Sequence, residues 1–401
     1  MNNKEMILKI VAVLAAMIII TIGMIAFLKH GEAVHSGEGE ANSEAPVDPS
    51  TVIDKPTVAP TQSPDVFADP EPTIDMGNPN DDPTTKNFDE SKLRPVPGSD
   101  STLPISEVTM HGIMCWGDSL TAGYTARPEA AYPYLLNQWL KQDGYKCEVV
   151  NMGATGEDSR SIAARAGGIE MYTQQKMLLP SDGTPQDVEL VDKNGKGIRI
   201  QLYDSVGINP CKVVDAYGTP YSVEIKNTEI YTGYGRYTMR PYDVQPNIEL
   251  NAMTQIKPEG ADLHPDYLTI IFAGNNKGFD SLEEYIAQID GIIKDKDYSH
   301  MYIVIGITMP GIVDFDEYDK VMTAAYGDHY LNFRKFLAEY DYSRFGYYPN
   351  EDDRNCYLHG DYSPWMLATD NEHFSELNYS LLAEAVYQKI YALGYNEGFV
   401  K

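Results

Sequence analysis

The segment IMCWGDSLTAGY, Ile113–Tyr124, decides the fold. Its first residues, Ile113–Trp116, form a short uninterrupted apolar run, the pattern of a strand covered on both faces. The run passes directly into Gly117-Asp118-Ser119-Leu120, which places a serine just beyond the carboxyl end of that strand. In parallel sheets this edge is where reactive groups gather. A Gly-Asp-Ser turn is also a common loop composition, so the tetrapeptide alone leaves both readings open. It is not the Gly-x-Ser-x-Gly nucleophile elbow of the α/β-hydrolase fold.

Outward from this segment the chain alternates strands and helices. Ala130–Leu140 has helical apolar spacing, Cys147–Asn151 reads as a strand and Asp158–Ala166 as a helix. Further on, YLTIIFA (Tyr267–Ala273) is a nearly continuous apolar run, as a buried parallel strand should be. Asp280 and Ser281, with Glu283 and Glu284, offer capping boxes for a helix through Ile293. Met301–Ile307 is another buried strand, Tyr318–Tyr340 is helical with a break near Gly327, and Ser375–Leu393 closes the chain as an amphipathic helix. This alternation predicts a three-layer α/β/α sandwich on a parallel sheet, of flavodoxin-like type.

One stretch breaks the rhythm. Between about 168 and 265 the periodicity shifts toward two, as in Val188–Val191, Ile198–Leu202 and Ser222–Ile225, with Asn194-Gly195 as a hairpin turn. A small β-rich subdomain inserted between two parallel strands is expected there. It carries Tyr217, Tyr221, Tyr231, Tyr234, Tyr237 and Tyr242.

The folded part is expected over 104–401. Before it, Ile10–Leu28 is apolar and uncharged; about 19 residues at 1.5 Å rise span roughly 28 Å, the thickness of a hydrocarbon core. Lys4 and Lys9 precede the run, so residues 1–30 read as a cytoplasmic tip and membrane anchor with everything later outside. A cleaved signal peptide is the competing reading, but its apolar region is usually shorter and Gly31-Glu32-Ala33 is a poor cleavage site. Residues 31–103 are rich in Pro, Ser, Thr, Asp and Glu, too poor in large apolar side chains to offset ordering entropy, and read as a disordered stalk.

The formal charge of -28 over 401 residues excludes a nucleic-acid partner, since phosphates would be repelled. Cys115, Cys147, Cys211 and Cys356 show neither CxxC nor zinc-knuckle spacing, so no metal or cofactor is expected. They read as structural thiols, with a Cys211–Cys356 bridge left open.

Three further segments bear on Ser119. NMGATGEDS follows the second strand and sets Gly156 at the same sheet edge; FAGNNKG follows the strand ending at Ala273 and sets Asn276 there; DNEHFSELNYSLLAEAV brings Asp370 and His373 just before the last helix. In this order the four blocks resemble those of the GDSL family, also called SGNH hydrolases, over nearly all of the folded part outside the β-rich insertion. The resemblance implies that Ser119 is the nucleophile, His373 its base and Asp370 the partner of that base. It implies an oxyanion hole from the N–H groups of Ser119 and Gly156 and the side-chain amide of Asn276. Each role has a physical reason: a hydroxyl needs an adjacent imidazole, the imidazole needs a carboxylate, and the oxyanion needs preset donors. The third block departs from the family's Gly-x-Asn-Asp, since Lys277 stands where an acid is usual. Asp118 reads as structural. Asp297 and His300 share the D-x-x-H spacing but precede the strand at Met301, at the opposite sheet edge; His111, His264, His329 and His359 read as surface or structural histidines.

An extracellular serine esterase acting on an acylated glycan follows as the expectation, with Tyr231, Tyr234 and Tyr237 as candidates to stack on sugar rings, against the alternative that they pack the small β core. Two rivals remain: an O-acetyltransferase acting on cell-wall glycan, which shares the acyl-enzyme, and a non-catalytic glycan-binding protein on a hydrolase fold.

Overall fold

The computed structural model describes residues 109–401, apart from 201–207, 229–235, 244–245, 259–266, 296–300, 346–347 and 364–365. The expected anchor and stalk therefore lie outside the described residues. Among the described residues no helix is long and apolar enough to cross a membrane.

The chain enters β1 (Gly112–Gly117), turns through the short helix α1 (Ser119–Ala122), and crosses by α2 (Tyr132–Gln142) to β2 (Glu148–Gly153). Helix α3 (Ser159–Arg165) leads into the insertion. The insertion contains β3 (Met171–Thr173), β4 (Met177–Leu179), β5 (Gln186–Val188), β6 (Leu190–Val191), β7 (Cys211–Val214), β8 (Pro220–Asn227), β9 (Tyr237–Pro241), β10 (Ile248–Leu250) and β11 (Gln255–Pro258). The main sheet resumes with β12 (Tyr267–Phe272), α4 (Leu282–Asp295), β13 (Tyr302–Ile305), α5 (Phe315–Tyr326), β14 (Tyr330–Leu331) and α6 (Phe333–Glu339). Helices α7 (Glu351–Leu358) and α8 (Glu376–Ala392) finish it.

The main sheet has five parallel strands in the order β14-β13-β12-β1-β2. Side chains alternate faces along each strand. Ile113 and Cys115 of β1, Leu268, Ile270 and Phe272 of β12 and Ile303 and Ile305 of β13 pack with α2, α6 and α8. Met114, Trp116, Ile271, Tyr302 and Val304 face α3, α4 and α5. Both faces are covered, so the strands read as continuous apolar runs rather than alternating ones. From β1 the chain steps outward to β2, then returns to the other side of β1 as β12. The sheet order thus reverses between β1 and β12, and the crevice outside their carboxyl ends is where such sheets bind ligands.

The insertion is a seven-stranded antiparallel sheet in the order β5-β9-β8-β7-β11-β3-β6, with β4 and β10 as a separate pair. Its outermost strands, β5 and β6, are separated in the chain by Glu189 alone, so the sheet curls into a nearly closed barrel. Ile198, Ile208, Val213, Val223, Ile225, Met239 and Ile256 fill it.

One detail differs from the sequence expectation and two that it left open are decided. The helical stretch 318–340 is two helices separated by a 3₁₀ turn, Gly327–His329, and the edge strand β14. A two-residue strand is too short to show any period. The four cysteines are free: Cys115, Cys147 and Cys211 are buried, and Cys356 is exposed on α7, so no Cys211–Cys356 bridge forms. His329, at the end of that 3₁₀ turn, is structural: it stacks on Tyr302 with ring centroids 4.3 Å apart, and its Nδ1 meets the Tyr395 hydroxyl at 2.7 Å. Burial lowers its pKa, which keeps it neutral in this aromatic nest.

Candidate active site

Strand β1 ends at Gly117, where a Cβ would lie 2.0 Å from Thr121 Oγ1 and 2.5 Å from the Phe272 carbonyl. Only glycine allows α1 to fold back so tightly on the strand end. Asp118 caps α1, accepting the Leu120 N–H at 2.9 Å. Its other oxygen accepts from the Asn275 amide at 3.4 Å, and Asn275 Oδ1 in turn accepts from the Thr308 N–H at 2.9 Å and hydroxyl at 3.1 Å. One buried polar chain therefore joins the ends of β1, β12 and β13. Burial pushes the Asp118 carboxyl up to about 6, against the pull of the Leu120 N–H and the Asn275 amide.

Ser119 follows Asp118 and opens α1. Its Oγ lies 2.9 Å from His373 Nε2, and His373 Nδ1 lies 2.7 Å from Asp370 Oδ2. The structure thus brings together three side chains drawn from two ends of the domain. With Asp370 ionised, the Nδ1 proton points at it, leaving the Nε2 lone pair toward the serine hydroxyl. Asp370 is fixed in its turn by the N–H groups of Glu372 and His373, both at 3.0 Å. Burial opposes its charge, but these N–H groups and the imidazole outweigh that and hold the carboxyl below its ordinary value. The segment is anchored from beneath by fully buried Phe374, which forms a bridge with Leu367.

A loop before α2 holds this histidine and the first turns of α8 at three points. The Tyr124 ring lies 4.7 Å from the imidazole centroid, the Tyr124 carbonyl accepts from the Tyr379 hydroxyl at 3.1 Å, and Arg127 forks onto the Glu376 carboxylate at 2.8 and 2.7 Å. Tyr124 remains 49% exposed, so it borders the open side of the dyad.

Gly156 and Asn276 lie at the same carboxyl edge, after β2 and β12. Gly156 has φ +81°, a conformation that a side chain would strain. Asn276 donates one amide hydrogen to the Glu157 carbonyl at 2.9 Å, which ties the two loops together; its amide carries a second hydrogen outside this bond. Beneath them Glu157 and Arg165 form a buried ion pair at 2.9 Å. Arg165 also reaches the Gly117 carbonyl at 3.3 Å and lies 5.2 Å over the Trp116 ring. Lys277, the departure from the family pattern, sits at φ +60°, with its N–H on the Gly274 carbonyl at 2.8 Å and its carbonyl accepting the Ser159 N–H at 2.9 Å. Its backbone therefore keeps the loop closed despite the changed side chain.

The remaining candidates separate from this site. Tyr237 is 4% exposed inside the barrel and its hydroxyl donates to the Ile200 carbonyl at 3.0 Å, so its expected role in stacking on sugars is corrected: it packs the β core. Tyr231 and Tyr234 lie outside the described residues, as do His264, Asp297 and His300. His359 ends α7 with its Nδ1 2.9 Å from the Asn355 carbonyl, and His111 is exposed before β1. Sequence reasoning missed Asn275, Tyr124 and Arg165. Asn275 stands beside Asn276 in the same polar loop, and Arg165 shares its helix with Arg160, so no local pattern singles out either residue.

No family model matches the chain. No curated protein matches it either. Among solved structures, a candidate lipolytic protein of the G-D-S-L family from Desulfitobacterium hafniense DCB-2 is similar at 14% identity and a TM-score of 0.36, over 70% of this chain and 99% of that one. The reading of the site rests on the geometry described above.

Proposed function

We propose that the chain is a serine ester hydrolase of the GDSL/SGNH type, and that it removes acyl groups, acetyl foremost, from a glycan outside the cell. The observation that carries this reading is the continuous hydrogen-bonded line from Asp370 through His373 to Ser119 Oγ. A hydroxyl in that line can lose its proton to Nε2 as it attacks a carbonyl carbon. The carbonyl oxygen of the ester then becomes an oxyanion, to be held by the N–H groups of Ser119 and Gly156 and the second hydrogen of the Asn276 amide. Each such donor is worth about 10²–10³ in turnover. His373 returns the proton to the departing alcohol, and a water activated by the same imidazole releases the acyl group.

The glycan and the location rest on other support. The apolar segment Ile10–Leu28, with Lys4 and Lys9 before it, supports an anchored chain whose folded part faces outward. A polyol substrate suits a tethered, strongly acidic enzyme better than a nucleic acid or an anionic lipid surface would. Purified protein should release p-nitrophenol from p-nitrophenyl acetate and acetate from acetylated polysaccharides, and Ser119→Ala should stop both. Equal rates in the two proteins would end the esterase reading. Transfer of acetyl to a glycan acceptor in place of release would make the chain a transferase.

A further inference from the structure

The barrel carries a surface that its own packing does not need. In the β4–β10 ladder, Met177 and Leu179 pair with Leu250 and Ile248 and face the barrel core. Leu178 and Glu249 stand opposite each other on the outer face, and Leu178 is exposed. The turn between β7 and β8 is docked onto that face. The Ala216 N–H donates to the Glu249 carbonyl at 2.8 Å, and the Asp215 carboxylate accepts the N–H groups of Tyr217 and Thr219 at 2.9 and 2.7 Å. The Tyr217 hydroxyl donates to the Glu249 carboxylate at 3.0 Å, and the Lys176 ammonium pairs with the same carboxylate. Yet Tyr217 is 79% exposed, the most exposed large hydrophobic side chain among the described residues.

A tyrosine kept for packing would be covered, as Tyr237 is. One left at random on a loop would be free to turn. Tyr217 is held at its backbone and at its hydroxyl while its ring stands in water. A ring fixed beforehand adds contact area with little further ordering cost when something lies against it.

We propose that Tyr217, Leu178, Glu249 and Lys176 form a platform that binds an uncharged sugar of a polysaccharide. No residue of it belongs to the Ser119 site. The apolar C–H face of a pyranose ring stacks on Tyr217 and abuts Leu178, while its hydroxyls donate to Glu249 and accept from Lys176. Both ionic groups are present at neutral pH: Lys176 and the Tyr217 hydroxyl hold the Glu249 carboxyl below its ordinary value. Their charges cancel locally, which favours a neutral ligand, and the overall charge of -28 repels a polyanion. A lipid surface would call for a wider apolar area with a basic rim.

The test uses the full chain in detergent carrying Ser119→Ala, so that no turnover intervenes. Its affinity for soluble xylan, mannan, β-glucan and chitin oligosaccharides is measured by affinity electrophoresis and calorimetry, with polygalacturonate as the anionic control. Saturable binding to at least one neutral polymer is expected, weakened at least tenfold by Tyr217→Ala, less by Tyr217→Phe, and several-fold by Lys176→Ala. Tyr217→Ala in the Ser119 chain should leave p-nitrophenyl acetate turnover unchanged. The platform is overturned by absence of binding to all four neutral polymers, by equal binding of Tyr217→Ala, or by preference for polygalacturonate. Self-association in sedimentation that Tyr217→Ala abolishes would overturn it too, by making the face a contact between copies. Binding in the Ser119→Ala chain reads the platform alone, so loss of the esterase reading would leave this result standing.

Discussion

At Ser119 a hydroxyl stands 2.9 Å from one imidazole nitrogen while the other nitrogen stands 2.7 Å from a carboxylate. What surrounds these atoms sets how well they work. Tyr124 presses on the imidazole and is open on its other side, so it both braces the base and lines the approach of substrate. Tyr124→Ala should lower kcat/KM for p-nitrophenyl esters by about 2–10-fold, the range of a lost aromatic contact, and Tyr124→Phe should retain most of it. Steady-state kinetics with acetate and longer acyl esters would check this, and equal rates in all three proteins would refute it. Asp118 gives a second prediction. Unfolded, its carboxyl loses its proton near 3.8, whereas in the fold it holds it to about 6, so the folded state binds more protons in that window. Its contribution to stability is therefore unimpaired below about pH 4 and is lost as pH rises through 6. Relative to the native protein, Asp118→Asn should gain roughly 2–3 kcal/mol between pH 4 and pH 7, on top of any constant cost. Urea unfolding of both proteins across that range would show it, and a parallel pair of curves would contradict it. The residues proposed for catalysis were legible because each follows a readable strand end or precedes a readable helix. Tyr124 and Arg127 were not, because their partners His373 and Glu376 are separated from them by about 249 residues of chain and no local pattern links them.

At the scale of elements, the loops at the carboxyl edge are held by buried polar side chains as well as by their own turns. The Glu157–Arg165 pair couples the Gly156 loop to Trp116 and Gly117 at the end of β1. Both side chains are buried, so removing one partner strands the other charge in a dry site. Arg165→Met should cost about 3–5 kcal/mol and depress turnover through the displaced loop, while the paired change Glu157→Gln with Arg165→Met should recover much of the stability. Thermal unfolding of the single and double variants would decide it; additive losses would contradict the buried-pair account. The parallel strands were readable because burial on both faces gives continuous apolar runs such as YLTIIF in β12. Strand β14, with two residues, offered no period to read, so its stretch passed for one broken helix.

For the whole molecule, the question is what keeps the barrel beside the sheet. The hairpin after β6 is pinned to the α/β core: Arg160 of α3 pairs with Asp192 at 2.6 Å and reaches the Gly197 carbonyl at 3.4 Å, while Lys196 pairs with Glu284 at 3.0 Å and Asp280 at 3.4 Å. These contacts bear on the segments flanking the Asn276 loop. Arg160→Ala should raise amide exchange across the Asp192–Gly197 hairpin while the main-sheet strands keep native protection, measured by hydrogen exchange with mass spectrometry. Uniform protection in the variant would show that the pins do nothing. A β-rich insertion was visible from its period of two, but its curling into a barrel was not, because closure depends on which strands pair rather than on what each contains.

The central claim is that His373 makes Ser119 a nucleophile. The most direct measurement treats the folded protein with a fluorophosphonate ester and locates the adduct by peptide mass spectrometry. One phosphonyl group on Ser119 is expected, absent from Ser119→Ala and strongly slowed in His373→Ala. An unlabelled Ser119 in protein whose fold is intact, or labelling at the same rate without His373, would contradict the account.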